Sequence, residues 1–352
     1  MLYSYGCLFP PLFSSIDTEE KEEEGKEKEE DDDDIQSCMN VSEDAEQGNM
    51  TNMSGLYQLI RDDFTIAVIK NMIVCLIWLL LMFVNGTFVT IFFRHQIFNE
   101  DPRYILFTHM VINDTVQITI TTTVFVLSYI VYKINVSLCC FFILTAVFTT
   151  RNTPVNLASM AIERYIVICN PLHYAQICTV RRTYMIIGLI WLICIAPDIT
   201  DLFITLATEP LSFFQESVFC LRHNIFKDPV LAYKRQAFDA IYFSCVFLIL
   251  VFTYLKIVFV AKSLSTEKTL VQRTRNTILL HGAQLAMCML SYISPSANIV
   301  LEIIFPKQIA GIRFANYVII YILPRCLSPI IYGVRDKKCR KYLTMHLTNV
   351  QD

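Results

Sequence analysis

The residues in this chain best able to do chemistry are ionisable side chains set inside apolar stretches, where a charge is costly and usually has a role. Asp114 stands within the apolar run 104–130, and Arg151 within the run 139–168. Asp198, Asp201 and Asp239 lie in the neighbouring runs 183–207 and 236–261. Glu163 and Arg164 sit side by side where the 139–168 run ends. Such a set can make ion pairs or bind an ion or a ligand within a membrane. It offers no nucleophile–base pairing and no Cys/His spacing of a zinc site. The chain therefore reads as a non-enzyme without a cofactor.

Long apolar elements must position these charges. The chain has 352 residues, 54% hydrophobic and 17% charged, with mean hydropathy +0.47. A soluble chain carries about a quarter charged residues. Runs long enough to cross a bilayer, which takes roughly 20 residues, occur at about 68–93, 104–130, 139–168, 183–207, 236–261, 274–305 and 309–333. Seven spans predict an all-α membrane protein, a seven-helix bundle over 67–345 embedded in a lipid bilayer. The segment from Asp336 to Leu343 adds a short amphipathic helix on the membrane surface. Its Cys339 is read either as a palmitoylation site or as a plain surface cysteine. The thirteen cysteines are too scattered for a disulfide framework, and most stand as small hydrophobes.

Residues 1–66 form a tail and 346–352 a short cytoplasmic end. Thirteen Asp/Glu and three Lys crowd the segment from Asp17 to Asp34, a block of −10 that cannot bury a core and is expected to be disordered. The net charge of the whole chain is −3, so the rest carries +7, much of it in short loops. No nucleic-acid partner is implied. Residues 1–16 lack the basic start and cleavage site of a signal peptide. Three glycosylation acceptors, Asn40-Val-Ser, Asn49-Met-Thr and Asn52-Met-Ser, precede the first span and point to an outer N-terminus. Met39 just before them looks like a typical start, so 1–38 is read as an over-extended gene model. Lys and Arg are denser in the connections after spans one, three and five and after span seven, among them Arg181, Arg182, Arg273, Arg275, Lys337 and Arg340. The positive-inside rule puts those segments in the cytoplasm. Both signals give a multi-pass plasma-membrane protein, N-terminus extracellular and C-terminus cytoplasmic.

Span three carries the most specific string. From Cys139 to Arg164 is 25 residues, roughly 38 Å of helix, so the two ends lie at opposite membrane surfaces. The segment Met160-Ala-Ile-Glu163-Arg164-Tyr165-Ile-Val-Ile-Cys169-Asn-Pro171-Leu-His173-Tyr174 resembles the signature of the odorant receptors, rhodopsin-like G-protein-coupled receptors, with Glu163 in place of the usual Asp. Asn85-Gly86, Pro102-Arg-Tyr104, Asp114, Trp191, His281 and the ending Ser328-Pro329-Ile-Ile-Tyr332 extend the resemblance over about 68–345. Ser328 replaces the family's Asn, and the 208–235 segment holds only Cys220 where many members have three cysteines, which suggests a divergent, fish-type branch.

The resemblance implies a small organic odorant bound within the bundle and a heterotrimeric G protein, of the stimulatory olfactory kind acting through cyclic AMP, docking at the inner face. Glu163, Arg164, Tyr165, Tyr254, Pro329 and Tyr332 would serve activation and coupling. Asn85, Asp114, Thr153 and Ser328 would form a polar core, either holding Na⁺ or water at Asp114 or simply fixing helix packing around a protonated Asp. A Cys139–Cys220 disulfide is favoured by the resemblance, while spacing alone does not choose between Cys139 and Cys140. The pocket is expected among Ala146, Val147, Thr150, Arg151, Asp239, Tyr242, Tyr292, Ser296 and Tyr321. Ala146 stands where amine receptors carry an Asp, and the seventh span has no Lys for a retinal Schiff base. Arg151 reads first as a structural partner of Asp198, Asp201 or Asp239, and second as the counter-charge for an acidic odorant. A rhodopsin-like receptor for a non-odorant ligand is the main rival. A transporter or channel comes behind it, since no inverted repeats are visible.

Overall fold

Backbone N–H and C=O groups find no water in hydrocarbon, so an apolar chain crosses a bilayer as helix. The computed structural model describes residues 64–131, 133–263, 308–326 and 337–349, with positions 286, 301, 304, 305 and 329 between them. Five described helices are long and apolar enough to cross. They are α1 (Phe64–Arg94), α2 (Pro102–Ile130), α3 (Val136–Cys169), α4 (Val180–Thr208) and α5 (Pro229–Ser263). The shortest runs for 29 residues, roughly 43 Å against a hydrocarbon core of about 30 Å. The acidic tail, the three sequons, nearly all of the sixth expected span, and Tyr292, Ser296, Ser328 and Tyr332 lie outside the described residues.

Local chemistry sets where these helices begin. Asp101 caps α2 by accepting from the Arg103 amide at 3.0 Å, with Pro102 in the first turn. Asn135 caps α3 through the Ser137 amide at 2.9 Å, and Thr179 caps α4 through the Arg182 amide at 3.4 Å. The helices outrun the apolar runs of the sequence because polar outer turns remain helical. α5, for instance, starts at Pro229 and carries Lys234 and Arg235 before the apolar run begins.

Burial follows membrane logic. Leu80, Phe83, Trp191, Leu192, Phe247 and Leu248 are exposed outward, while Asn85, Asn113, Asp114, Gln117, Asn152 and Asn156 are buried inside. α3 is central, packing on α2, α4 and α5, and α1 packs on α2. The N-terminal end of α3 is clasped by a two-stranded antiparallel ribbon, β1 (Ile134–Asn135) against β2 (Ser217–Val218), in register Ile134↔Val218.

The seventh-span helix Ile309–Asn316 passes into a π-helical stretch, Tyr317–Ile322, before regular helix resumes. A π turn shifts the residues beyond it to a new face and often sits at functional positions. Here the Tyr317 hydroxyl meets Thr122 on α2 at 2.9 Å. The C-terminal helix Lys337–Asn349 lies against α1. Tyr342 packs on His95 and Phe98, with ring centroids 4.5 and 5.3 Å away. Cys339 does not face lipid or solvent: it is buried with Phe88, Leu106, Phe107 and Met110, because the helix turns its apolar stripe toward the bundle.

Candidate functional site

Three layers of polar residues run through the bundle, named outer, middle and inner in order from the N-terminal to the C-terminal end of α3. In the outer layer, Arg151 is 1% exposed. Its Nη1 meets Asp198 Oδ1 at 2.8 Å and its Nε meets Asp239 Oδ1 at 3.0 Å. Its carbonyl accepts a hydrogen bond from the Tyr242 hydroxyl, and its guanidinium lies over the Phe238 ring. The network continues upward through Arg222 of the outer loop. Arg222 Nη2 is 2.7 Å from Asp201 Oδ2 and 3.8 Å from Asp198 Oδ1, and Lys234 closes on Asp201 from α5. Burial lowers the affinity of Arg222 for its proton, with nearby Arg235 adding to this, against the pull of Asp198 and Asp201. Three acids and three bases are thus packed together across α3, α4, α5 and the loop. Two residues before Arg222, Cys220 is joined to Cys139 by a disulfide with the Cα atoms 5.5 Å apart, while Cys140 stays a buried thiol.

The middle layer holds amides and hydroxyls. Asp114 is buried, and Thr153 Oγ1 donates to its Oδ1 at 3.4 Å. Asn113 donates to the Thr149 carbonyl at 2.9 Å and to Thr153 at 3.1 Å. Asn85 reaches Thr115 at 3.1 Å, the residue next to Asp114. Gln117 donates to Thr150 at 2.6 Å and accepts from Arg325 Nη2 at 2.6 Å. Thr150 and Arg151 are neighbours in sequence yet face opposite ways, one to α2 and the other to α4 and α5.

At the inner layer, Glu163 is buried and meets Arg164 Nε at 3.4 Å. It also accepts from the Tyr174 hydroxyl at 3.1 Å, across the turn that follows α3. Burial, followed by the negative charges of Glu163 and Asp101, pushes the Tyr174 phenol above its usual range, so it stays a donor. Tyr165 packs on Phe252 of α5 with ring centroids 6.0 Å apart. Tyr254 is half-buried on α5, and Pro329 is buried.

A cation–carboxylate pair at the foot of the central helix, a polar middle and a disulfide-pinned outer loop suit a signal carrier better than a pump or an enzyme. Comparison with known proteins decides the family: residues 84–332 match the seven-transmembrane receptor (rhodopsin family) model. The chain belongs to the rhodopsin family of seven-transmembrane receptors. Among its relatives, Odorant receptor 131-2 of Danio rerio is 30% identical over 74% of this chain and 80% of that protein. Olfactory receptor 52J3 of Homo sapiens is 28% identical over 76% of this chain and 86% of its own length. Proteinase-activated receptor 1 of Xenopus laevis is 24% identical over 53% of this chain and 44% of that protein. The odorant-receptor likeness, the seven-helix class and the absence of enzymatic function therefore stand.

Within this receptor, the residues expected to line a pocket divide into two groups. Arg151, Asp239 and Tyr242 meet where α3 faces α5. Thr150 and Tyr321 lie toward α2 and the seventh span, where Tyr321 stacks on Tyr317 with centroids 6.0 Å apart. Ala146 and Val147 are half-buried on α3. Among the residues of these layers, Arg222, Lys234, Gln117, Asn113 and Arg325 carried no expected role. Arg325 had a legible signal, a lone guanidinium in an apolar span, the same signal that marks Asp114 and Arg151. Gln117 was legible only as the residue one helical turn from Asp114.

Proposed function

We propose that this receptor is an odorant receptor. It binds a small organic ligand in the outer half of the bundle and activates a heterotrimeric G protein of the olfactory stimulatory kind, raising cyclic AMP. The observation that carries the reading is the similarity to Odorant receptor 131-2, which spans four fifths of that protein. The Glu163–Arg164–Tyr174 contact supports the coupling step. Glu163 holds Arg164 in the inactive form, and ligand binding shifts the population toward a form in which Arg164 is released to the G protein. Ala146, Val147, Tyr242 and Tyr321, with Tyr292 and Ser296, line the pocket, while Tyr254, Pro329 and Tyr332 re-pack at the inner ends. Arg151 acts mainly as a strut, because two carboxylates already meet its guanidinium.

The test is a cyclic AMP assay in cells expressing the chain with an olfactory-type G protein, screened against odorant mixtures that include carboxylic acids. A response abolished in Arg164→Ala at normal surface level is expected. Silence of the wild type at confirmed surface expression would move the ligand outside the odorants, toward the kind of receptor to which the Xenopus laevis similarity points.

A further inference from the structure

Among the described residues two cations are almost fully buried, Arg151 at 1% exposed and Arg325 at 2%. They are held differently. Arg151 is closed by the carboxylates of Asp198 and Asp239. Arg325, in the seventh-span helix Phe314–Cys326, donates from Nη1 to the Ile320 carbonyl at 2.9 Å and from Nη2 to Gln117 Oε1 at 2.6 Å. Both acceptors are neutral, and its buried Nε has no hydrogen-bond partner among the described residues.

A guanidinium kept this far from water is costly with neutral acceptors alone, and its missing bond lies on a particular edge. Nε and Nη2 share one edge of the planar group, and that edge matches a carboxylate through two parallel, charge-assisted bonds. On Arg325 half of the edge is open and the other half rests on an amide oxygen. The amide can yield without losing its place, since Gln117 Nε2 is bonded to Thr150 at 2.6 Å. The same residues put the group beside the ligand. The Thr150 hydroxyl bonds the Ala146 carbonyl at 2.7 Å, and Tyr321 stands four residues before Arg325 on the seventh span. Ala146 and Tyr321 are pocket walls in the reading proposed above.

We propose that Arg325 is the specificity residue of this pocket, its open edge binding the carboxylate of an acidic odorant. The inference rests on the odorant reading and narrows it to one class of ligand. A carboxylate at this edge exchanges an amide acceptor for a negative charge in a site closed to water, where such a pair is far stronger than in solution. A neutral odorant of the same shape gains nothing there.

The test is thermal unfolding of the purified full-length receptor in detergent, with cyclic AMP dose–response in cells beside it. The probes are short straight-chain carboxylic acids, each with the primary alcohol and the methyl ester of the same chain. At saturation the acids are expected to raise the unfolding midpoint by about 5 °C, and the alcohols and esters clearly less. Arg325→Gln should weaken the acids about ten- to a hundredfold and leave the neutral compounds near their wild-type potency. Gln117→Glu, which hands Arg325 a resident carboxylate, should have the same selective effect and should fold even if Arg325→Gln does not. Acids that bind either variant as tightly as the wild type, or no better than their alcohols, would overturn the proposal and leave the odorant reading in place. No response to any of these compounds in either assay would remove both.

Discussion

At the scale of single residues, the charges divide by how completely they are compensated. Arg151 is met by two carboxylates and is sealed beneath Phe238, so its removal leaves buried negative charge with nothing to balance it. Breaking a buried pair in this way costs about 3–5 kcal/mol. Arg151→Ala is therefore expected to lose most of its surface expression, measured by antibody on intact cells, and Asp198→Asn should restore part of it. Normal surface levels with selective loss of responses to carboxylic acids would instead make Arg151 a ligand contact. Tyr174 illustrates the smaller effects. Its hydroxyl bond to Glu163 is worth about 1 kcal/mol, about a five-fold shift in the balance between inactive and active forms. Tyr174→Phe should raise basal cyclic AMP without agonist, and an unchanged baseline would show that this bond does not restrain Arg164. The partners of Arg151 were legible as a set of three acids, because charges in hydrocarbon must find partners. Which two of the three it takes depends on side-chain direction across α3, α4 and α5, and spacing along one chain does not encode that.

At the scale of elements, hydrophobic runs located α1 to α4 to within about four residues, since length and polarity alone select a spanning helix, while α5 begins seven residues before its apolar run. Two features had no such signal. The π stretch Tyr317–Ile322 coincides with the contact of Tyr317 with Thr122 on α2, and the inward turn of Cys339 depends on contacts with α1 and α2. The loop between α4 and α5 is held by the disulfide at Cys220, by Arg222 on Asp201 and by the β1–β2 ribbon. The disulfide links residues 81 apart in sequence, for which chain-entropy reasoning gives about 4 to 5 kcal/mol. Cys139→Ser and Cys220→Ser should each remove nearly all surface receptor, and the double variant should be no worse than either. Cys140→Ser should leave expression near the wild-type level. Loss in Cys140→Ser equal to that in Cys139→Ser would mean the two thiols exchange roles.

For the whole molecule, the outer charge network, the disulfide and the ribbon gather at one end of the described helices, and the Glu163–Arg164 pair and the basic C-terminal helix at the other. That polarity, together with the sequons before α1 and the basic loops, supports the N-terminus outside and the C-terminus in the cytoplasm. An epitope tag at the N-terminus should therefore be stained on intact cells, while one after residue 352 should need permeabilisation. Enzymatic removal of N-glycans should shift the band, and Asn40→Gln, Asn49→Gln and Asn52→Gln together should abolish the shift. The two readouts separate two errors. Inverted staining would place Arg164 outside the cell and remove any route to a G protein. Correct staining without a glycan shift would leave the receptor mechanism intact and show only that the acceptors go unused. On the positive-inside rule, neutralising Arg181 and Arg182 after α3 should erode this orientation far less than neutralising the many basic residues that follow the fifth and seventh spans, because topology responds to the summed positive charge of short loops rather than to any one of them.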